Sequence, residues 1–192
     1  MSEKSLLNES QRSELVKIVR KTLDLSLSGS SVDIEIPVDS VLLDSGYGVF
    51  VSLHKGKELR GCIGCFESNM PLWRTVAEYA IASSQDSRFK SNPVVHAELS
   101  SLNIEISVLS PLRKIERYDE AVLGKHGIVV EKGWNRGVLL PQVATETGWS
   151  LEEFWSHCAQ YKAGLGADSY QDPDVSLFVF DAEVFGESHA SS

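Results

Sequence analysis

The sequence predicts an α+β fold, with a mostly antiparallel or mixed sheet and helices packed on it. Two observations predict this. Helical stretches are interleaved with pairs of strand-like stretches, not alternated one for one with single strands, which disfavours a doubly wound parallel sheet. The clearest strand, Leu102 to Val108, alternates apolar residues with Asn103, Glu105 and Ser107, the mark of a strand with one face buried.

The elements follow in order. Asn8 and Gln11 form the start signal of a first helix, in which Leu15, Ile18, Val19, Thr22 and Leu23 recur at helical spacing. Leu25 to Ser31 reads as a loop, and Val32 to Ile36 as a short strand stopped by Pro37. Val49–Leu53 and Glu58–Ile63 flank turn chemistry at His54-Lys55-Gly56-Lys57 and predict a hairpin. A second helix is expected with Asn69 as cap, Pro71 in the first turn, and Leu72, Val76, Tyr79 and Ala80 on one face. Tyr118 to Leu123 reads as a short helix ended by Gly124. Ile128–Val130 and Gly137–Leu140 flank Gly133-Trp134-Asn135 and predict another hairpin. Ser150 and Glu153 form a capping box for a last helix carrying Leu151, Phe154, Trp155, Cys158 and Tyr161, and Ser176 to Phe185 reads as a closing strand.

Composition narrows the function. At 192 residues and 42% hydrophobic, the chain can bury a sizeable core as one domain or two small lobes. No apolar run is long enough to span a membrane, and Met1 to Glu9 resembles neither a secretory signal nor a transit peptide, so a cytoplasmic protein is expected. Cys62, Cys65 and Cys158 fit free thiols better than a disulfide framework. A net charge of −9 argues against a nonspecific grip on nucleic acid or anionic membranes. The sequence contains no P-loop, H-E-x-x-H, G-x-S-x-G or dinucleotide-binding glycine motif, and no metal site is expected.

The informative stretch is Leu59-Arg60-Gly61-Cys62-Ile63-Gly64-Cys65. In a regular strand Arg60 and Cys62 share one face, where a guanidinium would stabilise a thiolate and make Cys62 a usable nucleophile. Gly61 and Gly64 suit a bulge, or a backbone that something approaches closely. The bland reading stands beside this one: Cys62 as a small packed hydrophobe and the glycines as a bend. Cys62 and Cys65 form a C-x-x-C whose side chains would point to opposite faces and which precedes the next helix by several residues, so neither a redox pair nor a zinc site is expected.

At this hexapeptide the chain resembles the AMMECR domain family, called AmmeMemoRadiSam system protein A in microbes. The likeness extends through Gly48–Leu53, Asp86-Ser87-Arg88-Phe89 (with Ser where the family has Pro), Glu105–Pro111, Lys125–Ile128, Leu139–Ala144 and Lys162–Leu165, in the same order. Cys65 stands where the family usually has Thr or Ser. The resemblance implies a larger and a smaller lobe, intimately packed as one domain over residues 1–186, with the hexapeptide near a groove between them; the polar residues 187–192 read as a disordered tail. It also implies the company of radical-SAM and Memo-like proteins.

Two functions remain open. One is a thiol-dependent enzyme acting on a small anionic or carbonyl substrate, with Cys62 as nucleophile, Arg60 lowering its pKa, and Glu105 or His126 moving a proton. The other is a non-catalytic module that binds a ligand or a protein. Glu105 is otherwise part of a solvated strand face. Asp86 and Arg88 either grip a ligand anion or pair with each other and cap a helix. His126 is a ligand contact or a hydrogen-bonded loop residue, and Gln142 reads a ligand amide or satisfies the backbone. Cofactor and oligomeric state are left open.

Overall fold

A computed structural model of the chain describes residues 5–187; of the tail expected at 187–192, all but Glu187 lies outside the described residues. The chain divides into two compact units: one built from the residues up to Leu109 and from Glu183 onward, the other from Ser110–Ala182. Strands pair antiparallel within each unit, and the fold is α+β.

The first unit begins with helix α1 (Glu9–Leu27), whose start is the expected reciprocal cap. The Gln11 N–H donates to Asn8 Oδ1 at 2.9 Å, and the Asn8 N–H donates to Gln11 Oε1 at 2.8 Å. The helix runs to Leu27, past the loop expected from Leu25, because Leu27 packs against the core. A one-turn helix, α2 (Ser40–Leu43), is capped by Asp39. Strands β1 (Gly48–Lys55) and β2 (Glu58–Cys65) form the predicted hairpin, and α3 (Leu72–Ser84) follows. Pro71, not Asn69, is the N-cap of α3; Ser68 intercepts the chain first by accepting from the Met70 N–H at 3.1 Å. Strand β3 (Leu102–Leu109) pairs with the far side of β1. Val49, Val51 and Leu53 of β1 and Ile104, Ile106 and Val108 of β3 are buried in one cluster with residues of α1 and α3. The alternate residues Phe50, Ser52, Asn103, Glu105 and Ser107 occupy the opposite, more open face. Residues 32–36 are not a strand: the segment finds no partner to pair with, and its alternation alone builds no ladder.

The second unit holds β4 (Arg113–Ile115), β5 (His126–Lys132), β6 (Asn135–Leu139), α4 (Pro141–Thr147), α5 (Leu151–His157) and β7 (Ser176–Gly186). Strand β5 pairs with β6 on one side and β7 on the other, while β7 also pairs with β4. The last residues of β7 run on into the first unit, where the Glu187 N–H donates to the Ile104 carbonyl at 3.1 Å and the Glu187 carboxylate accepts from Arg20 Nε at 2.6 Å. The expected short helix at Tyr118 is a single 3-10 turn, Tyr118–Glu120. Helix α4 starts at Pro141 and is terminated by Gly148 in the left-handed conformation. Ser150 and Glu153 cap α5 as predicted, and the chain continues into a π-helical turn, Cys158–Lys162, where the backbone of Gly137 lies close to the Cys158 carbonyl and the Ala163 N–H. Phe154, Trp155 and Cys158 are fully buried, and the Trp155 indole N–H donates to the Tyr118 carbonyl at 3.1 Å. Burial pushes the Cys158 thiol up to about 12.

Candidate functional site

Strand β2 carries Leu59–Gly64, and its pairing with β1 is irregular. Gly61 stands opposite Leu53, but Leu59 stands opposite His54, so Arg60 has no partner and forms a bulge. This overturns the shared face expected for Arg60 and Cys62, since an extra residue breaks the two-residue alternation. Arg60 is 4% exposed, and its guanidinium points elsewhere. It donates to Glu98 Oε1 at 2.8 Å and to the carbonyl oxygens of Asn92 and Pro93 at 3.1 and 3.4 Å. The hydrogen bond to Glu98 raises the Arg60 pKa and holds the Glu98 carboxyl below its ordinary value, in both cases against the cost of burial. Arg60 is therefore a neutralised structural ion, not the charge partner of the thiol.

The glycines are explained inside the protein. A Cβ on Gly61 would overlap the carbonyl oxygen of Ser83 at the end of α3. One on Gly64 would overlap the Val49 carbonyl and the ring of Phe50. The close approach expected at both positions is thus made by neighbouring elements of the chain.

The last turn of α3 and the turn after it fasten β2. The Ser83 hydroxyl accepts from the Ile63 N–H at 3.0 Å and donates to the Val51 carbonyl at 2.7 Å, bridging the two strands where Val51 and Ile63 are partners. Asp86, 4% exposed, accepts from the Cys62 N–H at 3.0 Å, while Arg88 Nη2 donates to the Cys62 carbonyl at 2.8 Å. Asp86 also caps the 3-10 turn Ser87–Phe89 by accepting from the Arg88 N–H at 3.0 Å, and its Oδ2 accepts from Arg88 Nη2 at 2.6 Å. Arg88's hydrogen bonds, helped by the two backbone N–H groups, hold the Asp86 carboxyl far below the usual carboxylate range. Of the two expectations for this pair, the structure shows pairing and capping, and together the two side chains engage the backbone of the hexapeptide.

Around the thiol, Ser52 is opposite Cys62 on one side and Glu105 on the other, forming a row across three strands on the open face. The Ser52 hydroxyl donates to Cys62 Sγ at 3.1 Å. Glu105 is exposed and, two strand spacings from Cys62, its backbone is about 10 Å away. The nearest cation is Arg88, whose pKa is raised by Asp86 first and by Cys62 to a smaller degree. Arg88 keeps its Nη1 without a hydrogen-bond partner among the described residues, and its side chain is 57% exposed. Cys65 stands opposite Val49, on the other face, and bonds the Tyr79 hydroxyl, whose pKa is pushed up to about 12. The C-x-x-C is split across the sheet, as its spacing predicts.

His126 and Gln142 belong to the second unit. His126, the first residue of β5, is 9% exposed; its Nδ1 accepts from the Val122 N–H at 3.1 Å, and burial lowers its pKa while Asp181 opposes the shift. Gln142 is exposed in the first turn of α4. That unit also has a cavity of 560 Å³ lined by Tyr118, Tyr170, Arg117, Asp172 and Asp174 among others, and no hexapeptide residue lines it. Its charges are largely matched, Arg117 with Asp119 and Lys132 with Asp172 and Asp174. Among the described residues, no cluster of His, Cys, Asp and Glu is placed to hold a metal ion, and no helix is long and apolar enough to cross a membrane.

Ser52, Ser83 and Glu98 were not singled out in the sequence. Ser52 carried a legible signal, a polar residue between Val51 and Leu53 in a strand-like run. Ser83 and Glu98 carried none, because their role depends on where a helix end and a distant turn dock.

The AMMECR1 family model matches residues 16–185, from within α1 to within β7. The chain belongs to the AMMECR1 family. AMMECR1-type relatives include a protein of Methanothermobacter thermautotrophicus, 40% identical and aligned over 94% of this chain and 96% of its own length. A protein of Methanopyrus kandleri is 41% identical over 97% of this chain and 92% of its own. The crystal structure of an uncharacterized protein from Pyrococcus horikoshii matches with a TM-score of 0.75 at 33% identity, covering 96% of this chain and 95% of that one.

Proposed function

We propose that the edge of β2 is a recognition site for a small anionic ligand, and that this AMMECR1-family protein acts as a non-catalytic binding module in the cytoplasm. The observation that carries the reading is Arg88. A buried carboxylate fixes one side of its guanidinium, the Cys62 carbonyl takes a further N–H, and Nη1 is left to meet a carboxylate or phosphate oxygen beside the thiol. Fixing the fork beforehand lowers the entropy lost on binding. The thiol-enzyme reading draws on the contact of Ser52 with Cys62 and on the row that ends at Glu105. It is weakened by Arg60, which is committed to Glu98, and by the distance of Glu105. Radical-SAM and Memo-like proteins remain the partners to which such a module would deliver its ligand.

Competitive alkylation tests the site. Cys62 is expected to prefer iodoacetate over neutral iodoacetamide about five-fold more than Cys65 does, with the preference lost in Arg88→Ala and suppressed by inorganic phosphate. Equal preference at the two cysteines would remove the anion site. Alkylation of Cys62 more than about ten-fold faster than free cysteine with both reagents would favour the enzyme instead.

A further inference from the structure

The stretch between α1 and α2 reads Ser31-Val32-Asp33-Ile34-Glu35-Ile36-Pro37-Val38, an alternation of apolar and acidic residues typical of a strand. It runs without a turn or bend, yet belongs to no sheet. Among the described residues, none of the backbone groups of 31–38 has a hydrogen-bond partner. Both ends are anchored. The Ser30 N–H donates to the Leu25 carbonyl at 2.9 Å, and Asp39 caps α2 while accepting from Gln11 Nε2 at 3.0 Å. Ile34 packs against the core. Ile36 and Val38, by contrast, are 64% and 99% exposed, and Asp33 and Glu35 are exposed as well. A cleft of 330 Å³ beside Val38 is lined by Glu14 and Asp39 among others, adding two acidic side chains to that end.

We infer that residues 32–38 are a docking strand for another protein, to which an extended segment alternating apolar residues with lysine or arginine adds by backbone pairing. The free N–H and C=O groups supply the ladder, and Ile36 and Val38 supply the apolar contacts. Asp33, Glu35 and the acidic cleft select the basic partner, because opposite charges across a strand pair attract and like charges repel. The same charges reject a second copy of this chain. Antiparallel self-pairing centred on Ile34 or Glu35 sets carboxylates opposite one another, and pairing centred on Ile36 brings two prolines into the ladder.

The test uses the full chain with two synthetic peptides of about eight residues, one alternating Lys with Val and the other Glu with Val. Affinity is measured calorimetrically, and amide hydrogen exchange is followed by mass spectrometry. The expected result is a preference of about ten-fold or more for the Lys–Val peptide, with slowed exchange at residues 32–36. The double variant Asp33→Lys/Glu35→Lys should reverse the preference, and Val38→Asp should weaken apolar docking without altering the exchange of α1. Three results would overturn the inference: no peptide preference, binding that leaves exchange at 32–36 unchanged, or a protein dimer that protects this segment without any peptide.

Discussion

Strand β2 and the segment 31–38 look alike as sequence and differ as structure. Both read as strands in the sequence, and both lie at the margin of the first unit. In β2 the outward backbone groups of Cys62 are taken by Asp86 and Arg88, so side chains stand in for a neighbouring strand. In 31–38 the backbone groups have no such partner among the described residues. An exposed strand edge is a template for pairing, and a protein either covers it or leaves it for a partner. One chain does both. The closed edge presents a guanidinium and a thiol, whereas the open one presents its backbone.

The contrast is broken most severely at Glu98. Glu98→Ala leaves the buried Arg60 guanidinium without its carboxylate and should cost about 3–5 kcal/mol, read from the midpoint of denaturant unfolding. A loss below about 1 kcal/mol would mean that the Asn92 and Pro93 carbonyls suffice to hold Arg60. Asp86→Asn keeps an acceptor for the Cys62 N–H but loses the charge, with an expected cost of about 1–2 kcal/mol at neutral pH, since Arg88 is solvent-screened.

The pH dependence sharpens the point. Asp86 has a folded pKa below its unfolded value of 3.8, so its contribution is fully present well above that value and is lost as pH falls below it. The stability of the parent protein should therefore drop more steeply than that of Asp86→Asn between about pH 5 and 2. Parallel curves would show that the carboxylate is not what secures β2. The smallest effect is expected in the open segment, where Val38→Asp should change stability by less than about 0.5 kcal/mol because the side chain touches nothing that folding needs.

How much of this was legible depends on how local each signal was. The caps of α1 and α5 could be read because Asn8–Gln11 and Ser150–Glu153 contact each other within one turn. The strand β3 and both hairpins followed from alternation and turn residues. The geometry at Arg60 could not be read this way, because one unpaired residue reverses the phase of everything before it. Nor could the fate of Val32–Ile36, whose pattern suits a strand that the rest of the chain does not supply with a neighbour. Cys62, Arg60 and Arg88 were all candidates in the sequence, but the guanidinium that reaches the Cys62 backbone is that of Arg88, distant in sequence and near in space, while Arg60 turns to Glu98.

The Ser83 hydroxyl, lodged between Val51 and Ile63, has a consequence for how the protein assembles. A hairpin made of Gly48–Lys55 and Glu58–Cys65 alone lacks the Ser83 hydroxyl between Val51 and Ile63 and the Asp86 carboxylate on its outer edge. If β2 slid by one residue, Gly61 would leave its place beneath the Ser83 carbonyl and a side chain would have to enter that space. The helix therefore acts as a key that admits a single strand register. The hairpin becomes correctly paired when α3 docks, making its alignment a late, long-range event in folding.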